Sequence, residues 1–170
     1  YKKKNNSIAN LSLNLEKKED QIKINKINFK DGNNIIKGSG FVFNENKFST
    51  FKKIEVMTAN NDFLLQNGKK IIIRRNKFDA TNLVKSFNKS KRENIFKNIN
   101  NKIEIDFKNI KIPLSDNLKN FKLLGEIKNG QFVKISSKGD FGEDNYLDIS
   151  MKKDNKSDKK YLEIYSDLTR

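Results

Sequence analysis

Period-two alternation of apolar and polar residues dominates this chain and restricts what it can fold into. Leu11, Leu13 and Leu15 alternate with Ser12 and Asn14. Ile103, Ile105 and Phe107 alternate with Glu104 and Asp106. The same pattern holds at Ile22 and Ile24, Phe41 and Phe43, Ile54 and Val56, Leu147 and Ile149, and Leu162 and Ile164. Successive side chains of a strand point to opposite faces, so each segment has one apolar and one wet face. Ile27 and Phe29 continue one step out of phase with Ile22 and Ile24. Only a bulge that absorbs one residue keeps all four on one face.

Turn residues punctuate the alternation: Asp31-Gly32-Asn33, Asn44-Glu45-Asn46, Asn60-Asn61, Asn67-Gly68, Asn129-Gly130 and Asp154-Asn155. Asn-Gly tolerates the positive φ that tight hairpins need. The expected fold is mainly β, an antiparallel meander in which sequence neighbours pair in space. Pro113 marks an edge, a bulge or a strand exit.

One stretch breaks the β pattern. In "NKFDATNLVKSF", Asn76 to Phe87, Asp79 has the character of an N-cap, accepting a bond from a first-turn amide. Phe78 stands at staple spacing from Leu83, and Leu83, Val84 and Phe87 form one stripe. These residues predict one short inserted helix near 79–88, packing Phe78, Leu83, Val84 and Phe87 on the sheet. The organisation expected is a single segment over 1–170: a β meander over 1–76, a helical insertion over 77–100 and a second meander over 101–170.

The chain has 170 residues, no His and no Cys. The common zinc sites, His-based triads, thiol chemistry and disulfides are therefore excluded. Carboxylates remain. "GDFGEDN" gathers Asp140, Glu143 and Asp144, but its spacing does not match a calcium loop, and its glycines mark a hairpin tip. "KGSGF" lacks the third glycine of a dinucleotide loop and has no helix behind it. Gly38 and Gly40 there read as strand glycines pointing to one face, which leave room on that face or allow strong curvature. "KKIIIRRN" lacks the interleaved aromatic residues of a base-stacking platform and reads as a buried strand between charged ends. No catalytic, cofactor-binding or metal site is expected, and the chain reads as non-enzymatic.

Lys and Arg number 36 against 21 Asp and Glu, a net charge of +15. The excess attracts polyanions. It also follows from a bias toward Lys, Asn and Ile, and diffuse lysine is a poor nucleic-acid footprint. No stretch approaches the roughly 20 apolar residues that span a bilayer, and no signal peptide is present. The chain reads as a segment of a longer protein.

Three stretches carry a family resemblance. "IIIRRNKFDATNLVKSF" resembles a strand that runs into an aspartate-capped helix. "IEIDFKNIKIPLSDNLKNFKLLGEIKNGQFVKISSKGDFGEDNYLDISM" resembles a succession of strands ending in a hairpin. "KKYLEIYSDLTR" resembles a strand leading to a further helix. In this order, over about residues 70–170, they resemble the AsmA-like superfamily of bacterial envelope proteins, in particular its YhdP- and AsmA-type C-terminal region. The resemblance implies an elongated, curved sheet folded into a taco-like groove. It also implies a periplasmic location, with an inner-membrane anchor outside this chain, and a part in phospholipid movement between inner and outer membranes. Acyl chains would lie along the apolar face. Leu13, Ile24, Phe43, Val56, Ile105 and Ile149 are the groove candidates, with ordinary sheet core as their other reading. The partners implied are a phospholipid or another acyl-chain ligand, and envelope proteins. A structural module of outer-membrane assembly and a basic nucleic-acid-binding domain are the alternatives.

Overall fold

The computed structural model describes residues 8–45, 47–82, 99–113, 118–154, 157 and 159–167. The described residues form twelve strands and no helix. They divide into two compact units, Tyr1–Gly68 and Lys69–Arg170.

The first unit holds β1 (Ala9–Lys18), β2 (Gln21–Asp31), β3 (Asn34–Asn44), β4 (Lys47–Thr50), β5 (Lys53–Met57) and β6 (Asp62–Asn67). Their order in the sheet is β1-β2-β3-β5-β6, with β4 paired to β3. Every pair in this unit is antiparallel. The alternation explains the strands, and the turn residues explain where they stop. Lys18 pairs with Gln21 across Glu19-Asp20, and Asp31 pairs with Asn34 across Gly32-Asn33. Glu19 and Gly32 take the positive φ, 46° and 57°, that such short links require.

The phase slip in β2 is absorbed as its pattern demands. Leu15 pairs with Ile24 and Asn14 with Lys26, so Asn25 is the extra residue. Its amide donates to Asn14 Oδ1 and Glu16 Oε1, at 3.1 and 2.7 Å. β3 is irregular at the same level. Ile24 faces Phe41 and Lys26 faces Ser39, so the two strands keep one register and Gly40, with φ of 66°, stands opposite Asn25. Gly38 and Gly40 therefore do not share one face. Gly40 turns the strand, and a Cβ on it would stand 2.7 Å from Lys52 Cβ.

The second unit holds β7 (Ile71–Asp79), β8 (Asn101–Lys111), β9 (Leu118–Lys128), β10 (Gln131–Gly142), β11 (Asn145–Lys153) and β12 (Lys160–Ser166), in that spatial order. β7 and β8 are parallel, and the other pairs are antiparallel. This corrects the expectation of a wholly antiparallel meander. A parallel pair needs a crossover connection of about a dozen residues or more, and the segment between Asp79 and Asn101 supplies it.

The inserted helix is corrected at the same place. Residues 77–79 belong to β7, and Ala80 N still donates to Lys111 O at 2.8 Å. Thr81 and Asn82 form a turn. The Asp79 carboxylate accepts the Thr81 amide at 3.0 Å and the Thr81 hydroxyl at 2.5 Å. A carboxylate that accepts the amide two residues on is the chemistry shared by an N-cap and an Asx turn, and here it makes the turn. Phe78 stacks on Phe107, with ring centroids 5.5 Å apart. Leu83, Val84 and Phe87 lie outside the described residues.

Pro113 follows the end of β8, as a strand exit. "GDFGEDN" is the β10–β11 hairpin, with Glu143 and Asp144 at φ of 53° and 60°. Asp140 Oδ1 there accepts the Gly142 amide.

Candidate functional site: the apolar sheet faces

Cross-strand register assembles the alternating residues into rows. In the first unit, Leu11, Phe29, Ile36, Val56 and Phe63 stand in one row across five strands. Leu13, Ile27, Gly38, Ile54 and Leu65 form the next, and Leu15, Ile24 and Phe41 a third. These rows contain no polar side chain. Phe43 extends the surface, since Phe43 and Phe48 meet edge-on with centroids 5.7 Å apart. Phe51 joins it, stacked on Phe48 at 6.2 Å and tilted against Phe41 at 6.3 Å. Leu13, Ile24, Phe43 and Val56, expected on an apolar face, do share one.

In the second unit, Ile71, Ile103, Gly125, Ile135, Met151 and Leu162 form a row across six strands. Ile73, Ile105, Leu123, Ser137, Ile149 and Ile164 form the next. Ile105 and Ile149, also expected as groove residues, thus lie in one row. Ser137 is its only polar member. It is buried, and its hydroxyl donates to Ile149 O at 3.4 Å, so no unpaired polar group interrupts the face.

Three strand glycines, Gly38 and Gly125 in these rows and Gly139 of β10 outside them, sit beneath a neighbour. A Cβ on Gly38 would come within 2.5 Å of the Phe41 ring and 2.8 Å of Ile27 Cγ2. On Gly125 it would meet Ile103 Cγ2 at 2.9 Å, and on Gly139 it would meet Leu118 Cδ1 at 2.6 Å. A large side chain folded over a strand glycine restores the packing that the glycine lacks. The room that Gly38 leaves is taken up by the Phe41 ring.

Exposure divides the faces. Ile71, Ile103, Phe107, Ile110 and Leu118 are buried on β7, β8 and β9, with Leu118 only 2% exposed. Toward the outer strands the apolar residues stay open. Leu11, Leu13 and Leu15 of β1 are 64, 48 and 50% exposed, and Leu162 and Ile164 of β12 are 54 and 62% exposed.

The reverse faces are mainly polar, interrupted by Ile35, Val42, Met57 and Leu64 in the first unit and by Ile72 and Leu124 in the second. Lys23, Lys26, Lys30 and Lys37 stand exposed on the first unit. A shallow depression there is lined by Lys26, Ile27, Asn28, Lys37, Gly38, Ser39, Lys53 and Glu55. In the second unit Lys138 pairs with Asp148 at 3.5 Å, and Lys70 pairs with Glu104. The Lys70 ammonium holds the Glu104 carboxyl below its ordinary value, first by hydrogen bonding and then by charge. Hydrogen bonds from Thr81 hold Asp79 low in the same way.

Among the described residues no carboxylate group is arranged to hold a metal ion, and no helix is long and apolar enough to cross a membrane. No family model matches the chain, and no curated protein or solved structure matches it. The likeness to envelope proteins therefore rests on the quoted motifs alone.

Proposed function

We propose that this chain is a non-enzymatic binding module whose apolar sheet faces hold the acyl chains of a phospholipid or related lipid. The observation that supports this reading is the pair of five-strand rows on the first unit, free of polar side chains and exposed at β1 and at Ile36. Strands lie about 4.8 Å apart, so a five-strand row runs about 19 Å. One leaflet's acyl chain covers about 15 Å, half the roughly 30 Å hydrocarbon core. A single row is thus long enough for one chain. Burial stabilises by about 25 cal/mol per Å² of apolar area and needs no fixed polar contact. That is why a binding face of this kind carries no catalytic constellation. With the motif likeness, the reading extends to a segment of an envelope protein that moves phospholipid between membranes, acting in the periplasm.

A structural role has one observation in its favour. The buried cluster around Phe107 and Leu118 makes β7, β8 and β9 a packed core, so lipid is placed on the open rows and not there.

Binding of a fluorescent phospholipid to the purified chain tests the reading, together with mass spectrometry of lipid that co-purifies. Ile36→Asp and Ile164→Asp put a charge on the exposed apolar rows and should each weaken binding about tenfold, the effect of roughly 1.4 kcal/mol. Leu124→Asp is the control, because Leu124 is as exposed as Ile164 and more exposed than Ile36 but stands on the reverse face beside Glu104 and Ser136. Equal loss in all three variants, or no lipid bound at all, rejects the acyl-chain reading.

A further inference from the structure

We infer that the lysine face of the first unit, the reverse of its apolar rows, docks on the surface of a bilayer rich in anionic phospholipid headgroups. The inference stands on that face and does not depend on acyl-chain binding by the other. β2 and β3 supply its centre. Alternation, with the bulge at Asn25, sets Lys23, Lys26 and Lys30 of β2 on this side, and Lys37 of β3 joins them opposite Asn28. All four are exposed. β2 and β3 place no carboxylate here, because Asp31 falls in phase with the apolar rows, between Ala9 and Asn34. Among the described residues none of the four lysines has a carboxylate partner. The carboxylates of the neighbouring strands are engaged elsewhere: Glu16 accepts the Asn25 amide at 2.7 Å, and Glu55 meets Lys53 at 3.7 Å.

Diagonal positions on neighbouring strands stand about 7–8 Å apart, so Lys37 lies that far from both Lys26 and Lys30. Lys26 and Lys30 are four residues apart on one strand, about 14 Å. The charges thus spread over an area and do not follow a line. Like charges this close repel one another. A sheet of negative headgroups set against the face neutralises all of them together, and each lysine near such a surface adds to the attraction.

Residue type selects a bilayer over nucleic acid. The first unit contains no arginine, the side chain that grips phosphate and guanine in a bidentate way. Its phenylalanines at 29, 41, 43 and 63 fall in the apolar rows, so the lysine face offers no ring for a base to stack on. Apolar aliphatic side chains stand there instead. Ile35 pairs with Lys30 on one side and with Met57 on the other, and Met57 is 38% exposed. Lysines around an open apolar side chain are the combination that holds a surface at the bilayer interface. The charge meets headgroups, and the apolar tip enters the boundary beneath them.

Co-sedimentation with vesicles of phosphatidylcholine and phosphatidylglycerol in equal parts tests this, at about 0.15 M salt. The chain should bind these vesicles and not vesicles of phosphatidylcholine alone. Lys26→Gln, Lys30→Gln and Lys37→Gln together should weaken binding about a hundredfold, roughly fivefold for each lysine. Lys70→Gln, Lys128→Gln and Lys138→Gln remove the same charge from lysines paired with Glu104, Glu126 and Asp148, and should change it by no more than about twofold. The chain has no tryptophan, so one introduced indole reports its own surroundings. Met57 and Ile36 stand in adjacent cross-strand pairs on opposite faces, and are 38 and 40% exposed. Met57→Trp emission should shift to the blue with the anionic vesicles only. Acyl-chain binding is read at Ile36→Trp with either vesicle, so each reading fails or stands by itself. Equal loss in the two triple variants overturns the inference. So does binding that ignores phosphatidylglycerol, or a Met57→Trp emission that the anionic vesicles leave unmoved. An oligonucleotide that strips the chain from the vesicles, and that the first triple variant no longer binds, gives the face to nucleic acid and overturns it as well.

Discussion

Gly38 is dictated by what lies over it. The Phe41 ring and the Ile27 methyl occupy the space into which any Cβ would project. Added bulk in such a place forces side chains off their rotamers and shifts backbone, costing about 1–3 kcal/mol. Gly38→Val should destabilise the first unit by that amount in urea denaturation. Gly68→Ala, where a Cβ meets nothing within 4 Å, is the comparison and should leave the midpoint within about 0.5 kcal/mol of the original. If the two variants behave alike, the Phe41 ring does not pack on Gly38 in solution. Phe41 follows the glycine by three residues, and ordinary alternation would put the two on opposite faces. The break in alternation at Gly40, with its positive φ, returns Phe41 to the glycine's side.

At the scale of elements, β12 is closed by one side chain beyond its last paired residue. Leu147 pairs with Ser166, and Asp167 extends the closure. Its carboxylate accepts the Tyr165 hydroxyl at 2.6 Å and the Tyr146 amide at 3.1 Å, and its own amide donates to Tyr146 O at 3.2 Å. The Tyr165 hydroxyl, then the Tyr146 amide, hold this carboxyl below its ordinary value, and the same bond raises Tyr165. A depressed carboxyl contributes stability above its unfolded value, about 3.9, and loses it as pH falls through the lower folded value. Asp167→Asn should therefore lower the urea midpoint at pH 6, with the gap to the unmodified chain narrowing toward pH 3. A gap of equal size at both values would show that the carboxylate charge plays no part. How much of these elements the sequence discloses follows from the same chemistry. Turn residues and two-fold alternation announce strands and hairpins locally, which is why the breaks at Gly32-Asn33, Asn129-Gly130 and Glu143-Asp144 are legible. Parity also places Leu13, Ile24, Phe43 and Val56 together once the slip at Asn25 is absorbed. The parallel pairing of β7 with β8 is not legible, because a half-buried strand has the same alternation whichever way its neighbour runs. Asp79 misleads for a different reason: its carboxylate makes the same bond to an amide two residues on in a turn as in a helix cap. The cover of Leu118 over Gly139 joins distant positions and leaves no local pattern.

For the whole molecule, charge and packing act in opposite directions. Net charge is +15, and the lysines of the first unit's polar face are crowded along neighbouring strands. Self-repulsion of this kind destabilises the folded state more than the expanded one. Against it stand ion pairs such as Lys53–Glu55 at 3.7 Å, Lys128–Glu126 at 3.2 Å and Lys138–Asp148 at 3.5 Å. The Lys128 and Lys138 side chains are largely solvent-exposed and Lys53 is partly so, over a more covered Glu55, and an exposed pair contributes about 0–1 kcal/mol. Salt screens both effects, but the repulsion acts among many more charges than these pairs hold. Raising ionic strength from about 0.01 to 0.15 M shortens the screening length from roughly 30 to 8 Å and should silence the longer-range repulsion first. Thermal denaturation at pH 7 should therefore show the melting temperature rising by several degrees over that range. Potassium fluoride should act as sodium chloride does, because screening depends on ionic strength and not on a particular anion. A melting temperature that falls with salt would mean that the ion pairs dominate. A rise produced by phosphate or sulfate alone, at matched ionic strength, would instead mean that an anion binds among Lys26, Lys37 and Lys53, and the charge would then belong to a site and not to the surface as a whole.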